Sequence, residues 1–148
     1  RNWKLRLLGH PQEDAFLAEK HRNTIILSVA DGVTRDPMEL LPDMRTFFGK
    51  LKFVLSYPRK SPAMYAARIF CNKFEEYSRF CNSNANAVKE AITGVNKAIN
   101  RFNIYSRIKG DHLCNDYAGC VGAGAIVDNG SVRYGFIADS GVALFRGG

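Results

Sequence analysis

Long apolar runs are missing from this 148-residue chain, and no stretch approaches the ~18 residues that a membrane-spanning helix requires. Cysteine is sparse. Cys71, Cys81, Cys114 and Cys120 include no C-x-x-C pair, and His10, His21 and His112 do not cluster with them, so no zinc site is expected. Four cysteines in a chain of this length also exclude a disulfide-dense miniprotein. The first residues carry no charged-then-apolar signal segment, and reduced thiols in a cytoplasm are the expectation. Internal repeats and low-complexity tracts are absent as well. Acids are the scarcer charge: 14 against 21 Lys plus Arg, a net +7.

What is present is ordinary for a folded domain. Apolar residues make up 46% and charged residues 24%, enough for one buried core. The chain begins at Arg1 and stops at Gly147-Gly148 after a strand-like stretch, so both ends read as cut. The positive charge is uneven. Arg45, Lys50, Lys52, Arg59, Lys60, Arg68, Lys73 and Arg79 are opposed between them only by Glu75 and Glu76. A nucleic-acid face would explain this window. No nucleic-acid motif accompanies it, and the nearby aromatics sit among apolar residues. A solvated helix face behind a basic loop is the expected reading.

Asp14 to Glu19 reads as a short strand, and Thr24 to Ala30 as a better one, β-branched and stopped by Asp31-Gly32. Arg22-Asn23 is the turn between them. Pro37, Pro42 and Pro58 mark a loop, with a short helix around Met44 to Leu55. Ser61-Pro62 then reads as an N-cap with proline at the first helical position. Ala66, Phe70, Phe74, Tyr77 and Cys81 form one apolar stripe; Val88, Ile92, Val95, Ile99 and Phe102 form a second. Asn82-Ser83-Asn84 separates these helices, and Gly110-Asp111 ends the helical stretch. Ala118 to Val127 is small, apolar and too Gly-rich for a helix. Asp128-Asn129-Gly130 is a hairpin turn, Ser131 to Ala138 alternates, and Gly141 to Phe145 reads as a last short strand. The order predicts an α+β fold with helices on one face of an antiparallel sheet.

The few acids stand at strand ends. Glu13-Asp14 open one strand, Asp31 closes the next and Asp139 closes a third. If the first two strands form a hairpin, Asp14 and Asp31 share one rim of the sheet. Carboxylates gathered there repel unless a cation sits between them. Mg²⁺ and Mn²⁺ take such an all-oxygen environment, and Gly32 would let its carbonyl approach closely. The plainer reading is a turn at Asp31-Gly32 and a solvated Glu13-Asp14.

Four segments, in order, carry a resemblance. They are Glu13-Asp14-Ala15-Phe16, Leu27-Ser28-Val29-Ala30-Asp31-Gly32, Ala118-Gly119-Cys120-Val121-Gly122-Ala123, and Tyr134-Gly135-Phe136-Ile137-Ala138-Asp139-Ser140. With two long helices between the second and third, the chain resembles the first half of the metal-dependent protein phosphatase 2C domain over nearly all its length. The resemblance implies an antiparallel β-sandwich with flanking helices, incomplete in residues 1–148. It implies that Asp31 bridges two Mg²⁺ or Mn²⁺ ions, with the Gly32 carbonyl on one of them. Glu13 would bind metal directly or through water, Asp14 would support the cluster, and Asp139 would hold a third, weaker ion. The activity implied is hydrolysis of phosphoserine or phosphothreonine in a protein substrate, a metal-bridging hydroxide attacking phosphorus in line.

The chain departs from the family pattern in several places. The family's phosphate-gripping Arg falls at Gly9, with Arg6 and His10 nearest; Arg35 is the candidate for its role, against a surface Arg paired with Asp36. The loop after Gly32 reads Val33-Thr34-Arg35-Asp36, with fewer glycines than the family carries. The family's Gly-Asp-Ser-Arg reads Ala138-Asp139-Ser140-Gly141. Two further metal-binding aspartates of the family fall beyond Gly148. A catalytically inactive relative that binds phosphoproteins is the alternative. An aspartyl-phosphate hydrolase of the haloacid dehalogenase type would need a nucleophile at position 29, where Val29 cannot serve.

Overall fold

The structure is a computed structural model that describes residues 13–33, 46–49, 51, 61–80, 86–105, 118–138 and 140–143. Four strands form one antiparallel sheet in the order β1 (Ala15–His21), β2 (Thr24–Gly32), β3 (Cys120–Asp128), β4 (Ser131–Ile137). Between β2 and β3 come two helices, α1 (Pro62–Phe80) and α2 (Ala87–Tyr105). The α+β class follows. The described residues contain one sheet, and both helices pack on the same face of it.

Each hairpin closes through a two-residue turn. Ala15 pairs with Ala30 and His21 with Thr24, leaving Arg22-Asn23 at the tip; Asp128 pairs with Ser131 around Asn129-Gly130. Arg22 (φ 54°), Asn129 (φ 47°) and Gly130 (φ 75°) occupy the left-handed region that such tight turns need. Period-two alternation then sorts the side chains of β2. Ile26, Ser28, Ala30 and Gly32 face the helices and are buried, whereas Ile25, Leu27, Val29 and Asp31 face outward.

The helices bring bulk to a sheet face that lacks it. Ser61 Oγ accepts from the Met64 amide at 3.1 Å, so the expected cap starts α1. Phe70 and Phe74, fully buried and stacked with centroids 6.1 Å apart, lie on β3. A Cβ on Gly122 would stand 2.9 Å from the Phe70 ring, and one on Gly124 would stand 2.3 Å from Phe74. Glycine in this strand therefore makes room for phenylalanine on the helix. Val88, Ala91, Val95 and Ile99 of α2 complete the core. Asn103 fastens the way back to the sheet, donating to the Ala118 carbonyl (3.0 Å) and accepting from its amide (2.7 Å).

Of the remaining expected elements, residues 47–49 and 51 are helical, while the rest of the Met44 to Leu55 helix lies outside the described residues. So do Asn82-Ser83-Asn84, Cys81, Cys114 and Gly110-Asp111. Of the last expected strand, Gly141 to Phe145, residues 141–143 are not strand, and 144–145 lie outside the described residues. Ala138, at φ 64°, turns the chain out of its extended path directly after β4.

Candidate active site

The rim of the sheet opposite the two hairpin turns collects β1's start, the ends of β2 and β4, and the start of β3. The register that pairs Ala15 with Ala30 continues outward, because the Gly32 amide donates to the Glu13 carbonyl at 3.2 Å. Asp14 therefore stands across from Asp31. Both belong to the outward-facing set with Phe16 and Val29, and both are exposed. Directly opposed residues of an antiparallel pair have Cβ atoms about 5 Å apart, near enough for two carboxylates to share a cation. Val33 extends the ladder on the other side, its amide donating to the Gly119 carbonyl at 2.9 Å.

Four of the six residues singled out in the sequence, Glu13, Asp14, Asp31 and Gly32, thus meet at one rim. Arg35 and Asp139 lie outside the described residues, as do Arg6 and His10. Among the described residues, no group of three or more His, Cys, Asp or Glu is placed to hold a metal ion. Gly32 has a packing role that the sequence reading did not include. A Cβ there would stand 2.4 Å from the Ala63 carbonyl oxygen, so α1 can begin against β2 only because position 32 has no side chain.

A cation near the rim escaped the sequence reading. Arg68 and Asn72 of α1 line a cavity of about 280 Å³ together with Asp14, Phe16 and Cys71. Their spacing of four residues puts them on one flank of α1. Only the position of β1 beside α1 turns that flank toward Asp14.

The thiols of the inner face stay protonated. Burial, then the neighbouring Cys71 and then the Asp31 charge push Cys120 from an ordinary 9.0 up to about 12. Burial also raises Cys71, against the smaller opposing effect of the Ser28 hydroxyl beside it. Both are free cysteines, and neither offers at neutral pH the thiolate that a cysteine nucleophile requires.

Among the described residues no helix is long and apolar enough to cross a membrane. No family model matches the chain, nor does any curated protein or solved structure.

Proposed function

We propose that the protein is a cytoplasmic metal-dependent phosphatase acting on phosphorylated serine or threonine of protein substrates, with the β1–β2 rim as one wall of its active site. The observation that carries this reading is the pairing of Asp14 with Asp31, two exposed carboxylates brought together at strand ends beside Glu13 and Gly32. An all-oxygen donor set suits Mg²⁺ or Mn²⁺. The described donors supply part of the shell that two such ions would need.

Asp31 and Glu13 would hold metal and Asp14 would steady the cluster, with Asp139 a further donor. When bound, the ions would supply a water acidic enough to be deprotonated near neutral pH, together with charge to offset the phosphoryl oxygens. The chain's part is to keep opposed carboxylates at fixed spacing on a hydrogen-bonded ladder, so that little reorganisation is needed on binding. Arg68, sharing a cavity with Asp14, is the described candidate to grip the substrate phosphate, with Arg35 the other. Among the described residues, the raised Cys71 and Cys120 thiols do not compete as nucleophiles.

Gly9, standing where the phosphatase 2C family has its phosphate-gripping Arg, favours a second reading, a phosphatase-like module that binds phosphoproteins without hydrolysing them. One experiment separates the two. The intact protein should hydrolyse p-nitrophenyl phosphate with Mn²⁺ or Mg²⁺ and stop on addition of excess EDTA. Asp31→Asn should lower kcat by at least ~100-fold with the fold intact, since the loss is of charge at an exposed rim and not of core volume. Turnover that survives EDTA overturns the metal assignment; phosphopeptide binding without turnover selects the second reading.

A further inference from the structure

At the other end of the sheet, the two hairpin turns and the last turn of α1 enclose a cavity of about 710 Å³. Ile26, the β2 residue of its lining nearest that rim, stands five positions from Asp31, roughly 17 Å along the strand. Its walls are basic: Lys20 and Arg22 from the first hairpin, Arg133 from β4 and Arg79 from α1. Two carboxylates answer them. Glu75 accepts from Arg79 and lies 2.7 Å from His21 Nε2, and Asp128 lies 3.6 Å from Arg133 while accepting from the Thr24 hydroxyl. Four cations against two anions leave a surplus of positive charge. Lys20 and Arg22 make no ion pair among the described residues, so the surplus resides with them. Such a pair at a cavity mouth attracts anions more strongly than isolated surface charges do.

A second, independent feature lies inside. Ser78 is buried at 4% exposure, lines this cavity, and its Oγ has no hydrogen-bond partner among the described residues. A buried hydroxyl without a partner costs about 1–3 kcal/mol, a cost that a ligand oxygen placed there removes. Amide side chains of Asn23 and Asn129 line the same cavity and add neutral donors. The carbonyl end of α1 opposes an anion, but Arg79 stands on that last turn and offsets it.

We infer that this turn-end cavity is a binding site for a phosphate-monoester dianion, held by Lys20, Arg22 and Arg133 with the Ser78 hydroxyl donating to one of its oxygens. The volume exceeds that of one phosphate group and accommodates the moiety that carries it. The inference is independent of the reading of the carboxylate rim.

The test is a calorimetric titration of inorganic phosphate, with EDTA present, into the intact protein and three variants. Saturable binding is expected in the wild type. Lys20→Gln with Arg22→Asn should weaken it at least tenfold. Both side chains are exposed, and Asn suits the left-handed backbone at position 22. Ser78→Ala should weaken it about threefold to tenfold, as loss of one hydrogen bond to a charged group implies. Asp31→Asn should leave it unchanged. A phosphoserine peptide binding tighter than inorganic phosphate identifies a phosphorylated chain as the carrier, and pyrophosphate binding tighter identifies a small phosphate; both gains should vanish in the double variant. No saturable binding up to about 20 mM, or equal binding by the double variant, overturns the site. Loss of binding in Asp31→Asn alone would also overturn it, by moving the phosphate to the rim.

Discussion

The same four strands present two unlike faces. The inner one is made of small residues, Ser28, Ala30, Gly122, Gly124 and Gly135, with Ile26 and Ile126, and two helices press aromatic rings into it. The outer one carries Phe16, Ile25, Leu27, Val29, Val132, Tyr134 and Phe136, each more than a third exposed, with Phe16 at 80%. On it Ala123 and Ala125 form a floor between the bulky side chains of β2 and β4. The inner face shows how stability is obtained: void space on the sheet is matched to volume on the helices. Among the described residues the outer face is an exposed apolar patch. Strand pattern alone does not distinguish them, because apolar residues stand on both.

Substitutions can break this comparison at graded strength. Phe74→Ala removes a fully buried ring and should destabilise by about 3–5 kcal/mol. Gly124→Ala should cost about 1–3 kcal/mol, because the added methyl meets that same ring. Phe136→Ser on the outer face should change stability by less than about 1 kcal/mol, while reducing the fluorescence of a hydrophobic dye bound to the sheet. Urea denaturation of the three variants, with dye binding in the folded baseline, checks the series. A loss for Phe136→Ser as large as that for Phe74→Ala would show that the outer face is as much a core as the inner.

An effect confined to high pH is expected from the thiols. Cys120 titrates at about 12 in the folded protein against an ordinary 9.0. The folded state therefore favours the neutral thiol, and its contribution is complete below about pH 9. Stability should then fall as the pH rises from 9 toward 12, because unfolding releases the Cys120 proton. Comparison of wild type with Cys120→Ala by urea denaturation across this window isolates the contribution. An equal pH slope in both proteins would remove Cys120 from the account.

The hairpins were legible in the sequence because their signals are local. Arg22-Asn23 and Asn129-Gly130 sit between alternating runs, and two-residue loops leave one register. The Ser61-Pro62 helix start was legible for the same reason. The sequence put Asp14 and Asp31 at one rim if the strands formed a hairpin; the register then sets them across from each other. Tertiary causes were not legible. Gly124 reads as a residue that weakens a helix until Phe74 is found against it. Gly32 reads as room for a carbonyl to approach metal until Ala63 is found over it. Arg68 sits within a basic window that reads as solvent-facing, and only the packing of β1 beside α1 brings it to Asp14. β4 stops at Ile137, one residue short of the expected Ala138, because Ala138 stands in a left-handed conformation.

The two ends of the sheet differ as sharply as its faces. One gathers carboxylates at Asp14 and Asp31; the other gathers cations around Ser78. The carboxylate end bears the central claim, and Mn²⁺ binding to the intact protein tests it most directly. Calorimetry, with the Mn²⁺ electron paramagnetic resonance signal as a second readout, should show saturable binding in the wild type. Asp31→Asn should weaken that binding by at least tenfold, and Lys20→Gln with Arg22→Asn should leave it unchanged. Mn²⁺ affinity unaltered by Asp31→Asn would contradict the assignment of the rim as a metal site.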